Sequence, residues 1–143
     1  MAQPRIECVR ADWDAERAAI ERIRREVFIL EQGIPESEEW DGEDGSSIHV
    51  LVTLNREPVG TGRLERAGKI GRIAVMPGLR GRGFGTLILG RLLDEARRLG
   101  IREPHLHAQV QAVPFYEKLG FAREGGEFDE AGIPHVRMSL VLE

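Results

Sequence analysis

Between Ile73 and Thr86 the chain reads IAVMPGLRGRGFGT, in which Gly81, Gly83 and Gly85 alternate with Arg80, Arg82 and Phe84. An apolar strand that ends in such a loop and is followed by a helix leaves unpaired N–H groups at the helix start. The helix dipole adds positive potential there. Glycines let an anion approach the backbone, and Arg80 and Arg82 add charge, so the segment suits phosphate. A merely tight strand-to-helix turn needs one or two glycines and does not account for this pattern. Two better-known phosphate motifs are excluded. GxGxxG fails because Gly81 and Gly83 are followed by Thr86, and the Walker pattern fails because no Lys-Ser/Thr follows Gly83.

Further along, His105, His107 and Gln109 alternate and therefore share one face of a strand. Two such histidines could ligate a metal, but no third ligand stands at a recognisable spacing. Polar lining of a cleft is the expectation, and no metal is expected. Asp41-Gly-Glu43-Asp44-Gly45 departs from a calcium loop in both spacing and length.

The charge is unevenly laid out. Residues 1–47 carry 13 acids and 6 bases, residues 48–103 carry 5 and 11, and residues 104–143 carry 6 and 3, for a net charge of −4. An acidic N-terminal third and a basic centre read as a cation-facing part beside an anion-facing part. A nucleic-acid binder would be basic overall, so that class is set aside. With 143 residues, 41% of them hydrophobic, the chain has the size and apolar content of one globular domain, taken as residues 1–143. No apolar run reaches the ~18–20 residues of a membrane span. The start, MAQPRIECVRADW, lacks a signal-peptide pattern, and Cys8 is the only cysteine, so a cytoplasmic address is expected.

The elements that must position these groups follow from periodicity. RIECVR alternates as a strand. Asp12 or Asp14 then caps a helix whose apolar face is Ile20, Ile23, Val27 and Leu30, stopped by Gly33. Residues 34–47 are acidic and turn-rich, a loop or short irregular helix around Trp40. IHVLVTL, VGTGRLE and KIGRIAV form a three-strand meander, followed by a helix carrying Phe84, Ile88, Leu89, Leu92, Leu93, Ala96 and Leu99. HLHAQV is a strand, AVPFYEKLG a short helix, and IPHVRMSLVL a final strand. The order β-α-βββ-α-β-α-β predicts an α/β (mixed α+β) fold with helices on both faces of one sheet.

The 80–85 loop resembles the Q/R-x-x-G-x-G/A signature of the GNAT superfamily of acetyl-CoA-dependent N-acyltransferases, matched by Arg80, Gly83 and Gly85. FYEKLGF at 115–121 is similar to the family's second signature. A narrower likeness, to the ElaA-like branch, lies in Arg24, Val27, Phe28, Glu31, Gln32, Asp41, Asp44 and His49. The resemblance covers nearly the whole chain. It implies a largely antiparallel sheet whose fourth and fifth strands splay to hold CoA. It implies that residues 80–86 (Arg80, Gly81, Arg82, Gly83, Phe84, Gly85 and Thr86) bind the pyrophosphate. It also implies that Ile73, Ala74 and Val75 pair with the pantetheine arm, and that a backbone N–H, that of Val75, polarises the thioester.

In the family the position of Tyr116 holds the general acid, and a phenol can return a proton to a departing thiolate. The position of the family's strand-borne glutamate is Lys69, so no base carries over. Glu39, Asp41, Asp44, Glu65, His49, His107 and His135 are candidates, with His107 the single choice. Arg24, Phe28, Glu31, Trp40, Asp41 and His49 are expected on the acceptor side. The implied reaction is acetyl transfer from acetyl-CoA to a primary amine by direct attack, with Cys8 uninvolved and read as a buried apolar residue. The acidic residues of 36–44 around Trp40 point to a cationic small-molecule or peptide acceptor. No membrane or nucleic-acid partner is expected, and a homodimer is left open. Two alternatives are a non-catalytic acyl-CoA sensor and a metal-dependent hydrolase built on the histidine pair.

Overall fold

The structure, a computed structural model, describes residues 3–143. Met1 and Ala2, which open the segment read above as lacking a leader, lie outside the described residues.

The chain opens with β1 (Ile6–Ala11), and Asp12 ends the extended run. Its carboxylate accepts the Ala15 N–H at 3.0 Å and so caps α1 (Trp13–Arg24). Beyond Arg24 the helix widens into a π-helical turn, Arg25–Glu31, in which the Gln32 N–H reaches the Val27 carbonyl five residues back at 3.1 Å. Ile20, Ile23 and Val27 are buried as their spacing predicts. Leu30, expected on the same face, is 65% exposed, while Phe28 turns inward at 8%. The wider turn shifts the phase of the helix, so the residue that completes the apolar face changes. A short α2 (Glu36–Glu39) and a 3₁₀ turn (Asp44–Ser46) occupy the acidic segment.

The meander follows as expected: β2 (Ile48–Leu54), β3 (Glu57–Leu64) and β4 (Lys69–Val75). Then come α3 (Phe84–Arg98), β5 (His105–Gln109) and α4 (Val113–Lys118). The last two elements form a hairpin, β6 (Ala122–Glu130) and β7 (Ile133–Ser139). Strand β6 has no counterpart among the predicted elements. Its sequence, AREGGEFDE, is polar, mostly exposed and interrupted by Gly125 and Gly126, where its register against β7 shifts. Such an edge strand buries little, so it carries no alternating apolar signal.

The seven strands order as β1-β2-β3-β4-β5-β7-β6, and every neighbouring pair is antiparallel except β4 with β5. Val50 and Val52 share the core that holds Ile88, Leu89 and Leu92 of α3. Leu51, between them, shares a second core with Ile20, Ile23 and Phe28. The alternation along β2 thus assigns the two helices to opposite faces of the sheet. Helix α3 lies very close to β3: a Cβ at Gly62 would meet Ile88 Cγ2 at 2.6 Å and Leu92 Cδ1 at 2.8 Å. Leu99, grouped above with the apolar face of α3, lies past its end and is exposed. No helix of the described residues is long and apolar enough to cross a membrane.

Candidate active site

The parallel pairing of β4 with β5 is confined to Lys69↔His105 and Ile70↔Leu106, after which the strands diverge. On its other side β4 stays with β3 as far as Gly60↔Val75, across a bulge in which Arg72 adopts φ +52°. The gap opens a cavity of about 540 Å³ onto which Ile73, His107, Gln109 and Tyr116 face. Met76 N–H donates to the Val59 carbonyl of β3 at 2.9 Å. Polar groups alternate along a strand, so the N–H and C=O of Val75 point away from β3, into the gap. An extended ligand arm could bond to the Val75 N–H on that edge, where the Val75 carbonyl already accepts from Arg80 Nε. The Ala74 side chain is buried in the second core, so only its backbone is available.

The glycine loop is open. Gly78, Gly81 and Gly83 have φ of +87°, +77° and +87°, and a Cβ on any of them would meet nothing within 4 Å. Left-handed backbone, not crowding, selects glycine here. Gly83 starts α3 without a side-chain cap, and the first turn of α3 holds no acid. Its leading N–H groups are therefore free to meet a polyanion such as a pyrophosphate. Arg82 makes no ion pair among the described residues, and Thr86 is exposed. Arg80, expected beside it as a free cation, is engaged: two of its nitrogens meet the Glu31 carboxylate at 2.5 Å and its Nε donates to the Val75 carbonyl at 3.1 Å. That bidentate pair keeps the Glu31 carboxyl below the ordinary range. Phe84 is core, so only its backbone can serve the loop.

Tyr116, on α4, has Phe115 and Phe121 edge-on at 5.0 and 5.9 Å between ring centres. Burial lifts its phenol to about 12. His107 Nδ1 lies 2.9 Å from Glu130 Oε1, at the end of the unpredicted strand β6. His135 is nearly buried, its Nδ1 2.6 Å from the Ile133 carbonyl. His105 shares the strand with His107 but does not line the cavity. Burial and the neighbouring charges of Arg137, His107 and Lys69 lower its pKa. Among the described residues no three His, Cys, Asp or Glu side chains are grouped to hold a metal.

The acceptor-side residues divide. Phe28 and Asp41 line the cavity. Arg24 (0% exposed) and His49 (1%) are sealed inside, which corrects their expected contact with an acceptor. Arg24 binds Glu39 at 2.7 Å and Asp44 at 2.6 Å, and Arg63 binds Asp41 at 2.7 Å and Asp44 at 3.0 Å. Arg72 adds Glu39 at 3.2 Å and Asp41 at 3.3 Å. Burial pushes the Asp41 and Asp44 carboxyls up, but these guanidinium groups win, holding Asp41 well below the carboxylate range and Asp44 below its ordinary value. For Glu39 burial prevails and its pKa is raised. Burial lowers the pKa of His49, which stacks on Trp13 at 4.5 Å. Trp40 already packs against two cations, Arg24 and Arg25, at 5.1 and 5.7 Å. Of the six acids in 36–44, only Glu38 and Glu43 lack an ion pair among the described residues, and Glu38 lies on the cavity wall. The segment, expected as a loop or short irregular helix, is a clamped wall in which most of the acids are paired. Cys8 is half-buried, its thiol 3.8 Å from the Leu87 carbonyl on α3, away from the cavity.

Residues 11–142 match the family model of the acetyltransferase (GNAT) domain. The chain is 41% identical over 120 residues to the uncharacterized N-acetyltransferase YjcF of Bacillus subtilis, covering 81% of this chain and 86% of that one. It is 31% identical over 130 residues to the protein ElaA of Escherichia coli, covering 85% and 84% of the two chains. The crystal structure of ElaA superposes with a TM-score of 0.82 over 96% of this chain and 99% of that one. An acyl-CoA N-acyltransferase from Pseudomonas aeruginosa superposes with a TM-score of 0.83, at 28% identity, over 97% and 100%. With a splayed sheet, an open anion loop and these relatives in agreement, the chain belongs to the GNAT family of acetyltransferases.

Proposed function

We propose that the chain moves an acetyl group from acetyl-CoA to a primary amine by direct attack in a ternary complex. The observation that carries this reading is the gap between β4 and β5, onto which Ile73, His107 and Tyr116 all face. The loop amides of 81–86 and Arg82 suit the pyrophosphate, and the outward edge of Val75 suits the pantetheine arm and the thioester oxygen. The amine nitrogen bonds to the carbonyl carbon, the C–S bond breaks, and the sulfur leaves with the electron pair. Tyr116 serves the thiolate, and His107 takes the proton that the amine sheds. Glu38 on the cavity wall favours a cationic acceptor, though the paired acids around it contribute little to that attraction.

The raised phenol bears on the role of Tyr116. Against a thiol that ionises near ~8.5 in water, full proton transfer from such a phenol runs uphill by roughly 3.5 pK units. A thiolate formed inside the cavity is also desolvated and more basic, which narrows that gap. Tyr116→Phe is expected to lower kcat by about 10²-fold with little change in the acetyl-CoA KM. A raised KM with kcat intact would make the hydroxyl a binding group, and absence of turnover with any amine would favour the acyl-CoA sensor.

A further inference from the structure

Three strands bring His107 (β5), Glu130 (β6) and His135 (β7) together at one end of the cavity, and all three side chains line it. Glu130 closes β6 at a two-residue turn: Ala131 and Gly132 have φ of +54° and +75°, and Glu130 pairs with Ile133. Positive φ at both central residues marks the tight hairpin turn whose twist matches its strands. The carboxylate is therefore set on a rigid corner. One of its oxygens lies 2.9 Å from His107 Nδ1 and the other 3.7 Å from His135 Nε2.

The bonding fixes which nitrogen carries the proton. An ionised carboxylate only accepts, so His107 Nδ1 is the donor and, in the neutral ring, Nε2 carries the lone pair. Burial pushes the Glu130 carboxyl up, but the His107 hydrogen bond and charge, then Lys69 and His135, bring it below its ordinary value. His135 is disqualified by the same logic. Its Nδ1 must donate to the Ile133 carbonyl, and its Nε2 faces Glu130. Phe128 holds both rings, edge-on to His107 at 5.0 Å and stacked on His135 at 6.0 Å.

We propose that Glu130 is a positioning residue: it holds His107 as the Nδ1–H tautomer, so that Nε2 receives the proton of the attacking amine. This rests on the acetyl-transfer reading above. The proton passes from the amine nitrogen to His107 Nε2, and from there to solvent; Glu130 stays ionised throughout.

The test combines kinetics with a measurement that needs no turnover. In long-range ¹H–¹⁵N spectra of the protein, His107 is expected as the Nδ1–H tautomer, and Glu130→Leu should convert it to a mixture or to Nε2–H. With the best amine found by screening, Glu130→Leu should lower kcat by about tenfold or more at unchanged acetyl-CoA KM, and Glu130→Asp should restore part of the loss. Glu130→Gln keeps an acceptor oxygen but removes the charge. The acid limb of its kcat/KM profile should therefore move to lower pH, since an imidazolium without a neighbouring carboxylate forms less readily. The other ionisable groups around His107, namely Lys69, His105, Tyr116, His135 and Arg137, are unchanged in that variant. An Nε2–H tautomer in the native protein, or a pH limb and kcat indifferent to all three substitutions, would overturn the proposal. A native protein that turns over no amine would instead sink the acetyl-transfer reading, while the spectra still decide the tautomer.

Discussion

The acceptor wall and the glycine loop are both rich in charge, and they hold it in opposite ways. In the wall, Arg24, Arg63 and Arg72 close on Glu39, Asp41 and Asp44, and even Trp40 is flanked by guanidinium groups. In the loop, Arg80 is paired with Glu31, but the first amides of α3 are uncapped and Arg82 has no ion pair among the described residues. Arg63 and Arg72 of the basic centre meet acids of the N-terminal third inside the molecule and offset their charge there. Charge density in a sequence is thus not a field at a site: geometry decides which charges are left over.

Removing a partner from the closed region should have the largest effect. Arg24→Ala leaves Glu39 and Asp44 buried with less compensation, and a loss of about 3–5 kcal/mol is expected in urea unfolding. A loss under about 1 kcal/mol would mean that the cluster is solvated and the contrast false. The open region should respond in binding instead. Gly83→Glu puts bulk, strain and negative charge where an anion should pass, and CoA affinity measured by calorimetry should fall at least tenfold, about 1.4 kcal/mol. Unchanged affinity in a folded variant would remove the loop from the site.

Acid titration separates the regions in a third way. Asp41 and Asp44 have lowered pKa values in the folded state, so their contribution to stability is complete above their ordinary value near ~4 and is lost as pH falls below it. Glu39, with a raised value, has the opposite sense, the native state gaining relative stability as pH falls through its titration. Chemical denaturation against pH should therefore show little loss down to about pH 4 and a steep loss beneath it. Loss that is complete well above that point would contradict the pairing. The smallest effect is on acceptor capture. Glu38→Gln should lower kcat/KM for a cationic amine by only two- to threefold at low salt, and salt should erase the difference. A larger loss on neutralising Asp41 or Asp44, at unchanged stability, would show that the paired acids still attract the acceptor.

The meander, the α3 register and the loop glycines were legible because each depends on local pattern: period two, period 3.6, and left-handed backbone. What was not legible depends on partners distant in sequence. Nothing local to Arg24 tells a buried ion-pair member from a cleft residue, since its deciding contacts are 15 and 20 positions away, and His49 is covered by Trp13 from the start of α1. Likewise Glu130 was missed with its strand. The one available signal was Ala131-Gly132 between two extended runs, and the first of those runs is too polar to read as a strand. His107 and Tyr116 were found from alternation and motif, but that both face one cavity follows only from the splay of β4 and β5.

The π-helical turn has a consequence for insertions and deletions. A π turn is an α-helix with one residue to spare, stored where the hydrogen bonds lengthen from four positions to five. One residue removed from Arg25–Glu31 lets the helix close to regular α while the residues on either side keep their places, because the turn already absorbs the extra residue. Gln32 would then keep its 3.0 Å bond to Gln109 across the cavity, and the change would fall inside the turn, where Phe28 holds the wall it shares with Ile34. A change of a single codon in length, with no side chain altered, would thereby remake only the part of the cavity wall that the turn supplies, while α1 and the sheet beneath it keep their packing.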